Sequence, residues 1–163
     1  MVRAAFFDLD KTILDTSSNV ALSGPFIEAG LMNRRTALTS VLVQLPYLLA
    51  GADESRMEQM AQALGRMGRG WNAAFLEATV EDALERTIQP VCYAQALARI
   101  EAHKRAGDVV VIASASVEQV VRPIAQMLGA DEVLASHAAV DDDGCFTGEI
   151  THFNQAQGKA DAC

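Results

Sequence analysis

With 163 residues, half of them hydrophobic, and a net charge of −8, the chain is long enough to bury a real core and to hold one domain carrying an insertion. The acidic balance argues against nucleic acid or an anionic membrane surface as a partner. Cys92, Cys145 and Cys163 are odd in number and form no C-x-x-C, which points away from a disulfide framework or zinc site and toward thiols in a reducing, cytoplasmic setting.

The first element in chain order is the apolar run entering Phe6-Phe7-Asp8-Leu9-Asp10-Lys11-Thr12, which predicts a buried strand giving way to a loop at Asp8. The two acids interrupt the region where the apolar segment of a signal peptide would lie, so no such peptide is expected. Strand ends of open α/β sheets are where ligands bind. Residues i and i+2 of an extended chain project to the same side, so Asp8 and Asp10 can face one small volume. Neighbouring carboxylates push their pKa values apart. One stays ionised as nucleophile or metal ligand while the other carries a proton as acid, then base.

From Asp15 to Pro90 the short apolar runs give way to long helical patterns, punctuated at Gly24-Pro25, Gly51 and Gly68 to Gly70. Asp53-Glu54-Ser55 starts one helix, with Met57, Met60, Ala61 and Leu64 on one face. A second, from about Asn72 to Arg86, aligns Phe75, Leu76, Val80, Ala83 and Leu84. The hydrophobic stretch from Ala37 to Ala50 is interrupted by Thr39, Ser40, Gln44 and Pro46. It falls short of the ~20 residues a membrane span needs and is expected to be a buried helix.

Helical pattern resumes from Val91 to Ala106 and leads into a short apolar strand, Val109 to Ala113, closed by Ser114. Ser116-Val117-Glu118-Gln119 reads as an N-cap with its capping box, opening a helix to Leu128 that tolerates Pro123. Ser114 then sits just ahead of a helix N-terminus, an end that attracts phosphate. Asp131 to Ser136 reads as a third strand, and Asp143-Gly144 as the tip of a hairpin reaching Ile150. Gly158-Lys159 contributes a cation near the end. Alternating strands and helices imply an α/β fold with a doubly wound parallel sheet. Its core is residues 1–16 plus 91–163, and residues 17–90 are a helical insertion. His103, His137 and His152 are isolated. Phosphoryl transfer needs positioning and cancellation of charge, and Asp8, Asp10, Ser114 and Lys159 are the groups suited to it.

These motifs together resemble the haloacid dehalogenase superfamily, in its phosphoserine-phosphatase-like branch, over essentially the whole chain. Asp8, Asp10 and Thr12 match Asp-x-Asp-x-Thr, Ser114 matches the hydroxyl residue that closes a strand, and Lys159 matches the Lys that begins a helix. The resemblance implies a magnesium-dependent phosphomonoester hydrolase acting on a small phosphorylated metabolite. Asp8 becomes the phosphoaspartate, while Asp10 protonates the leaving alcohol and then activates water. Thr12 orients the nucleophile loop, Ser114 with Ala115 beside it holds the phosphoryl group, and Lys159 balances charge. Magnesium is expected on the Asp8 carboxylate and the Asp10 backbone carbonyl together with a carboxylate from a fourth motif, and 17–90 becomes a cap closing over the site.

Where phosphoserine phosphatases carry an acid that meets the substrate amine, this sequence has Ser17, and the apolar insertion suits a less polar ester. The family's fourth motif, an acidic pair after another strand, is absent because the sequence stops at Cys163. The chain therefore reads as truncated, with weak magnesium binding and self-association expected from an unpaired sheet edge. An inactive fragment is one alternative. A receiver-type phospho-aspartate module is another, disfavoured by the Asp8-to-Asp10 spacing. Transport ATPases share Asp-Lys-Thr, but Ile13-Leu14 follows here instead of Gly-Thr.

Overall fold

The computed structural model of the protein describes residues 3–40, 42 and 54–154. Most of the Ala37–Ala50 helix, Asp53, Gly158-Lys159 and Cys163 lie outside the described residues. Four strands form one sheet: β1 (Ala4–Asp8), β2 (Val109–Val117), β3 (Glu132–Val140) and β4 (Phe146–His152), in the spatial order β1-β2-β3-β4. β1 and β3 both run parallel to β2, whereas β4 returns antiparallel to β3. The architecture is α/β with a parallel-dominated sheet. Every residue from Val110 to Ser114 is buried, as expected when both faces of a parallel strand are covered and the sequence reads as a continuous apolar run.

Two helices pack on the parallel strands of this sheet. α5 (Ala94–Arg105) contacts β2, and α6 (Glu118–Met127) contacts β2 and β3. Ahead of them come α1 (Ser18–Ala21), α2 (Ser23–Glu28), a helical run over 34–40, α3 (Glu54–Met67) and α4 (Ala73–Ala83). Asn72 caps α4, its Oδ1 accepting the Phe75 N–H at 2.9 Å. α4 does not stand apart from the sheet layer. Leu76, Val80 and Ala83 share one buried cluster with Val120, Val121 and Ile124. Across the same contact Arg122 reaches Glu77 at 3.2 Å, and within α6 it pairs with Glu118 at 2.7 Å.

The chain leaves and re-enters the sheet layer through paired connectors. Asp15 N–H donates to the Val91 carbonyl and Tyr93 N–H to the Ile13 carbonyl, each at 2.8 Å. A bridge joins Leu14 to Cys92 between them. That pairing holds Cys92 and Tyr93 extended, so α5 starts at Ala94 and not at Val91 as the periodicity alone suggests. At the far end, the β3–β4 turn closes on Asp141, whose Oδ1 accepts the N–H groups of Asp143 (3.0 Å) and Cys145 (2.9 Å). The aspartate run is thus a turn built by its own side chain.

α3 lies against β4 with almost no spacing. A Cβ added at Gly65 would fall 2.9 Å from Ile150 Cγ1 and 3.0 Å from the Gly148 carbonyl oxygen. Gln62 Nε2 donates to the Ile150 carbonyl at 3.4 Å, and Gly70 N–H donates to the Phe146 carbonyl at 2.8 Å.

Candidate active site

β1 ends at Asp8, which pairs in register with Ala113 of β2. The next five residues, Leu9–Ile13, form a single wide turn rather than a continued strand. Leu9, Ile13 and Leu14 are all 0% exposed, and the Leu14 N–H closes the turn on the Leu9 carbonyl at 3.0 Å. These apolar anchors sink into the core and leave Asp8, Asp10, Lys11 and Thr12 between them at the surface or partly buried. Lys11 takes a left-handed conformation, φ 63°, which costs an L-residue roughly 1–2 kcal/mol and marks the tightest point of the turn.

Side-chain bonds hold both acids. Thr12 Oγ1 donates to Asp8 Oδ2 at 3.3 Å, fixing the rotation of that carboxylate. Asp10 Oδ1 accepts the Ser18 N–H at 2.7 Å, a short bond from the first residue of α1. Ser18 is itself 0% exposed, and its Oγ lies 3.1 Å from Ser116 Oγ. Ser116 N–H in turn donates to Ser114 Oγ at 3.1 Å. A line of hydrogen-bonded groups thus runs from Asp10 to Ser114.

Ser114 follows Ala113 at the same end of the sheet as Asp8 and is 1% exposed. The expected strand end at Ala113 and N-cap at Ser116 are both displaced. β2 continues to Val117 with an irregular register after Ala113, and Val117 takes the N-cap position without a side-chain bond. The reason is competition: the Ser116 N–H is taken by Ser114 and its hydroxyl by Ser18. Gln119 does not complete a capping box. Its Nε2 donates to Glu118 Oε1 at 3.5 Å, while its buried Oε1 has no partner among the described residues.

Two buried polar residues without any motif signature, Asn154 and Ser136, hold this end of the sheet together. Asn154 Nδ2 donates to the carbonyls of Ser114 (3.0 Å) and Leu134 (2.8 Å). Ser136 Oγ donates to the Ala115 carbonyl at 2.7 Å and accepts the Asn154 N–H at 3.0 Å. Ser17, at the position where an acid was of interest, is the N-cap of α1, its Oγ accepting the Val20 N–H at 3.2 Å. Lys159 lies outside the described residues.

The histidines sit away from the acids. His103 pairs with Asp108, at the opposite end of β2, at 2.9 Å and meets Phe7 edge-on at 5.8 Å. That bond, together with Arg3 and against the effect of burial, holds the Asp108 carboxyl below the usual aspartate value. His137 and His152 face each other across the β3–β4 pair.

Asp10 opens into a cavity of about 190 Å³. Its wall includes Phe26, Leu64, Trp71, Val117 and Phe146. No cluster of three or more His, Cys, Asp or Glu side chains suited to a metal occurs among the described residues. Asp8 offers a hard carboxylate oxygen and Asp10 a backbone carbonyl, oxygen donors of the type magnesium takes beside substrate phosphate.

A family model described as haloacid dehalogenase-like hydrolase matches residues 5–163. Over 159 residues, 98% of this chain, the sequence is 44% identical to the inhibition of morphological differentiation protein of Streptomyces azureus and to a probable phosphatase of Mycobacterium tuberculosis. The chain spans 57% and 55% of the lengths of these relatives. Among solved structures, a Bordetella pertussis protein of unknown function superposes with a TM-score of 0.79 at 24% identity, covering 98% of this chain and 72% of that one. A phosphoserine phosphatase holding a phospho-aspartyl intermediate analogue gives 0.63 at 18% identity, covering 93% and 63%. These two likenesses concern the fold.

Proposed function

The chain belongs to the haloacid dehalogenase-like hydrolases, and from that premise we propose that the whole protein is a phosphomonoester hydrolase working through Asp8 and Asp10. One observation carries the reading. Asp10 is fixed by a backbone N–H at the mouth of a cavity, two residues beyond an acid at the C-terminal end of a parallel strand. The probable-phosphatase relative and the phosphoserine phosphatase likeness support the same reaction class.

In this mechanism an Asp8 carboxylate oxygen attacks phosphorus, forming the aspartyl O–P bond as the ester P–O bond breaks. Asp10 gives its proton to the departing alcohol oxygen. Asp10 then takes a proton from water, whose oxygen attacks the same phosphorus, and Asp8 leaves as carboxylate with release of inorganic phosphate. Thr12 keeps Asp8 in its attacking rotamer. Ser114, with Ala115 beside it, and Lys159 receive the phosphoryl oxygens. Asp8 and Asp10 are the residues that would hold magnesium, which when bound cancels phosphate charge. Residues 17–90 serve as the cap. No helix among the described residues is long and apolar enough to cross a membrane. On its cysteine usage we place the enzyme in the cytoplasm.

Asp8→Asn keeps shape and removes the attacking charge, so turnover should fall by orders of magnitude. Asp10→Asn should still form phosphoenzyme from an aryl phosphate, whose leaving group needs little protonation, and accumulate it because breakdown is slowed. Trapping with radiolabelled aryl phosphate reads both steps. Undiminished turnover in Asp8→Asn would remove the nucleophile assignment.

A further inference from the structure

Building on the hydrolase reading, we propose that the cavity at Asp10 holds the leaving-group half of the substrate. That half is an uncharged, mainly apolar alkyl or aryl group about the size of a benzene ring or slightly larger. The acid that protonates a leaving oxygen must lie beside it, so the space opening from Asp10 receives the alcohol and not the phosphate. Asp8, by contrast, is not part of the cavity wall.

The character of the wall decides what fits. Phe26 and Trp71 meet edge to face at 5.9 Å and 66°, a fixed aromatic corner. Leu64 of α3, Val117 at the end of β2 and Phe146 and Ile150 of β4 supply further apolar surface. Among the described residues Asp10 is the one ionisable group on the wall, and as the general acid it is protonated when the leaving group binds. The polar remainder, such as Asn19 and Thr36, is neutral. A serine leaving group carries an ammonium and a carboxylate. The carboxylate would be desolvated with no cation among the described wall residues to meet it, which is strongly unfavourable. Ser17, the position where an acid would receive the ammonium, has its hydroxyl engaged in capping α1. Size sets the other limit. An apolar cavity of ~150 Å³ admits benzene, and this one measures about 190 Å³.

The test uses the full-length protein with magnesium and a ladder of n-alkyl phosphates from methyl to octyl, together with benzyl phosphate, phosphoserine and glucose 6-phosphate. kcat/KM should rise roughly fourfold per methylene until the chain fills the cavity, then flatten. Hexyl and benzyl phosphate should exceed phosphoserine by on the order of 100-fold. Ala61, on α3 and 7% exposed, lines the cavity. Ala61→Leu should cut hexyl phosphate turnover by about tenfold or more while changing methyl phosphate little. Leu64→Ala should move the plateau to longer chains, and it carries the test if Ala61→Leu does not fold.

Occupancy is read separately from turnover. Trp71 is the one tryptophan of this sequence and lines the cavity, so its fluorescence should respond saturably to benzyl phosphonate and not to phosphoserine in the Asp8→Asn protein. Asp8-dependent hydrolysis that favours phosphoserine or glucose 6-phosphate over the alkyl esters overturns the inference and leaves the hydrolase reading intact. Absence of Asp8-dependent hydrolysis for every ester removes the hydrolase reading. A fluorescence titration blind to benzyl phosphonate removes the apolar occupant on its own.

Discussion

Replacing Gly65 with alanine sets two known effects against each other. In an unobstructed helix interior the change from glycine to alanine is favourable by roughly 1 kcal/mol. Here the new methyl would meet Ile150 Cγ1 at 2.9 Å, the Gly148 carbonyl oxygen at 3.0 Å and Ile150 Cδ1 at 3.1 Å, where carbon contacts prefer ~3.5–4.0 Å. Neither obstacle yields easily: Ile150 is β-branched and stiff at χ1, and the oxygen belongs to backbone. Gly148 holds φ 92°, a conformation its neighbours must keep. Overpacking of this kind costs about 1–3 kcal/mol. With a main-chain atom in the way we take the upper half, ~2–3 kcal/mol, which leaves a net loss of about 1–2 kcal/mol after the helical gain.

For a chain of this size the melting temperature should fall by about 2–8 °C, measured by circular dichroism with a matching shift in denaturant midpoint. Gly24→Ala in α2 is the control. Beyond its chain neighbours nothing lies within 4 Å of its added methyl, and Pro25 next to it offsets the helical gain of alanine, so that variant should stay within about 1 kcal/mol of wild type. If Gly65→Ala is tolerated as well as Gly24→Ala, the helix does not sit on the β3–β4 hairpin as described and the reasoning fails.

Asn154→Ala removes the donor serving the Ser114 and Leu134 carbonyls and should destabilise by about 1–3 kcal/mol; an unchanged denaturation midpoint would contradict the role. Asp108→Asn tests the opposite end of β2. Because the folded carboxyl titrates below its unfolded value of ~3.9, chiefly through the hydrogen bond with His103 and with help from Arg3, its contribution is complete above about pH 4. It disappears as pH falls through the lower folded value. The stability gap between wild type and variant should therefore be open at pH 7 and close in acid, and a gap independent of pH would refute the pairing.

What the sequence disclosed depended on how local each signal is. Asp8, Asp10 and Thr12 lie within five residues and at the end of an apolar run, so their placement together at the end of β1 was readable. α4 was legible because Phe75, Leu76, Val80, Ala83 and Leu84 recur at helical spacing within a dozen residues. Ser18 and Ser116 meet across 98 positions, and Asn154 reaches Ser114 across 40. Nothing adjacent to a serine or an asparagine reports such a partner. The same reason explains the false N-cap at Ser116. Its local pattern suited a capping box, but long-range partners had already claimed its groups. α5 began late for a related cause, since the pairing of 91–93 with 13–15 outweighs the helical periodicity of Val91 to Tyr93. Of Lys159, read as the site's cation, the described residues give no position.

The paired connectors at Ile13–Asp15 and Val91–Tyr93 fix the ends of everything between them within hydrogen-bond distance. Loop-closure entropy grows only logarithmically with length, about 0.6 kcal/mol for each doubling, so the sheet is nearly indifferent to how much chain is threaded through that junction. The exceptions are α4, whose buried face belongs to the same cluster as α6, and α3, which packs closely against β4. The stretch ahead of α4, from α1 to Trp71, forms much of the cavity wall. Descent could recolour its cavity-facing side chains at small thermodynamic penalty while the α3 contact with β4 is kept. The acids on the Leu9–Ile13 turn stay anchored by Leu9, Ile13 and Leu14 throughout. Under the proposed function, selectivity and bond-breaking chemistry would therefore be separable traits, free to evolve at different rates.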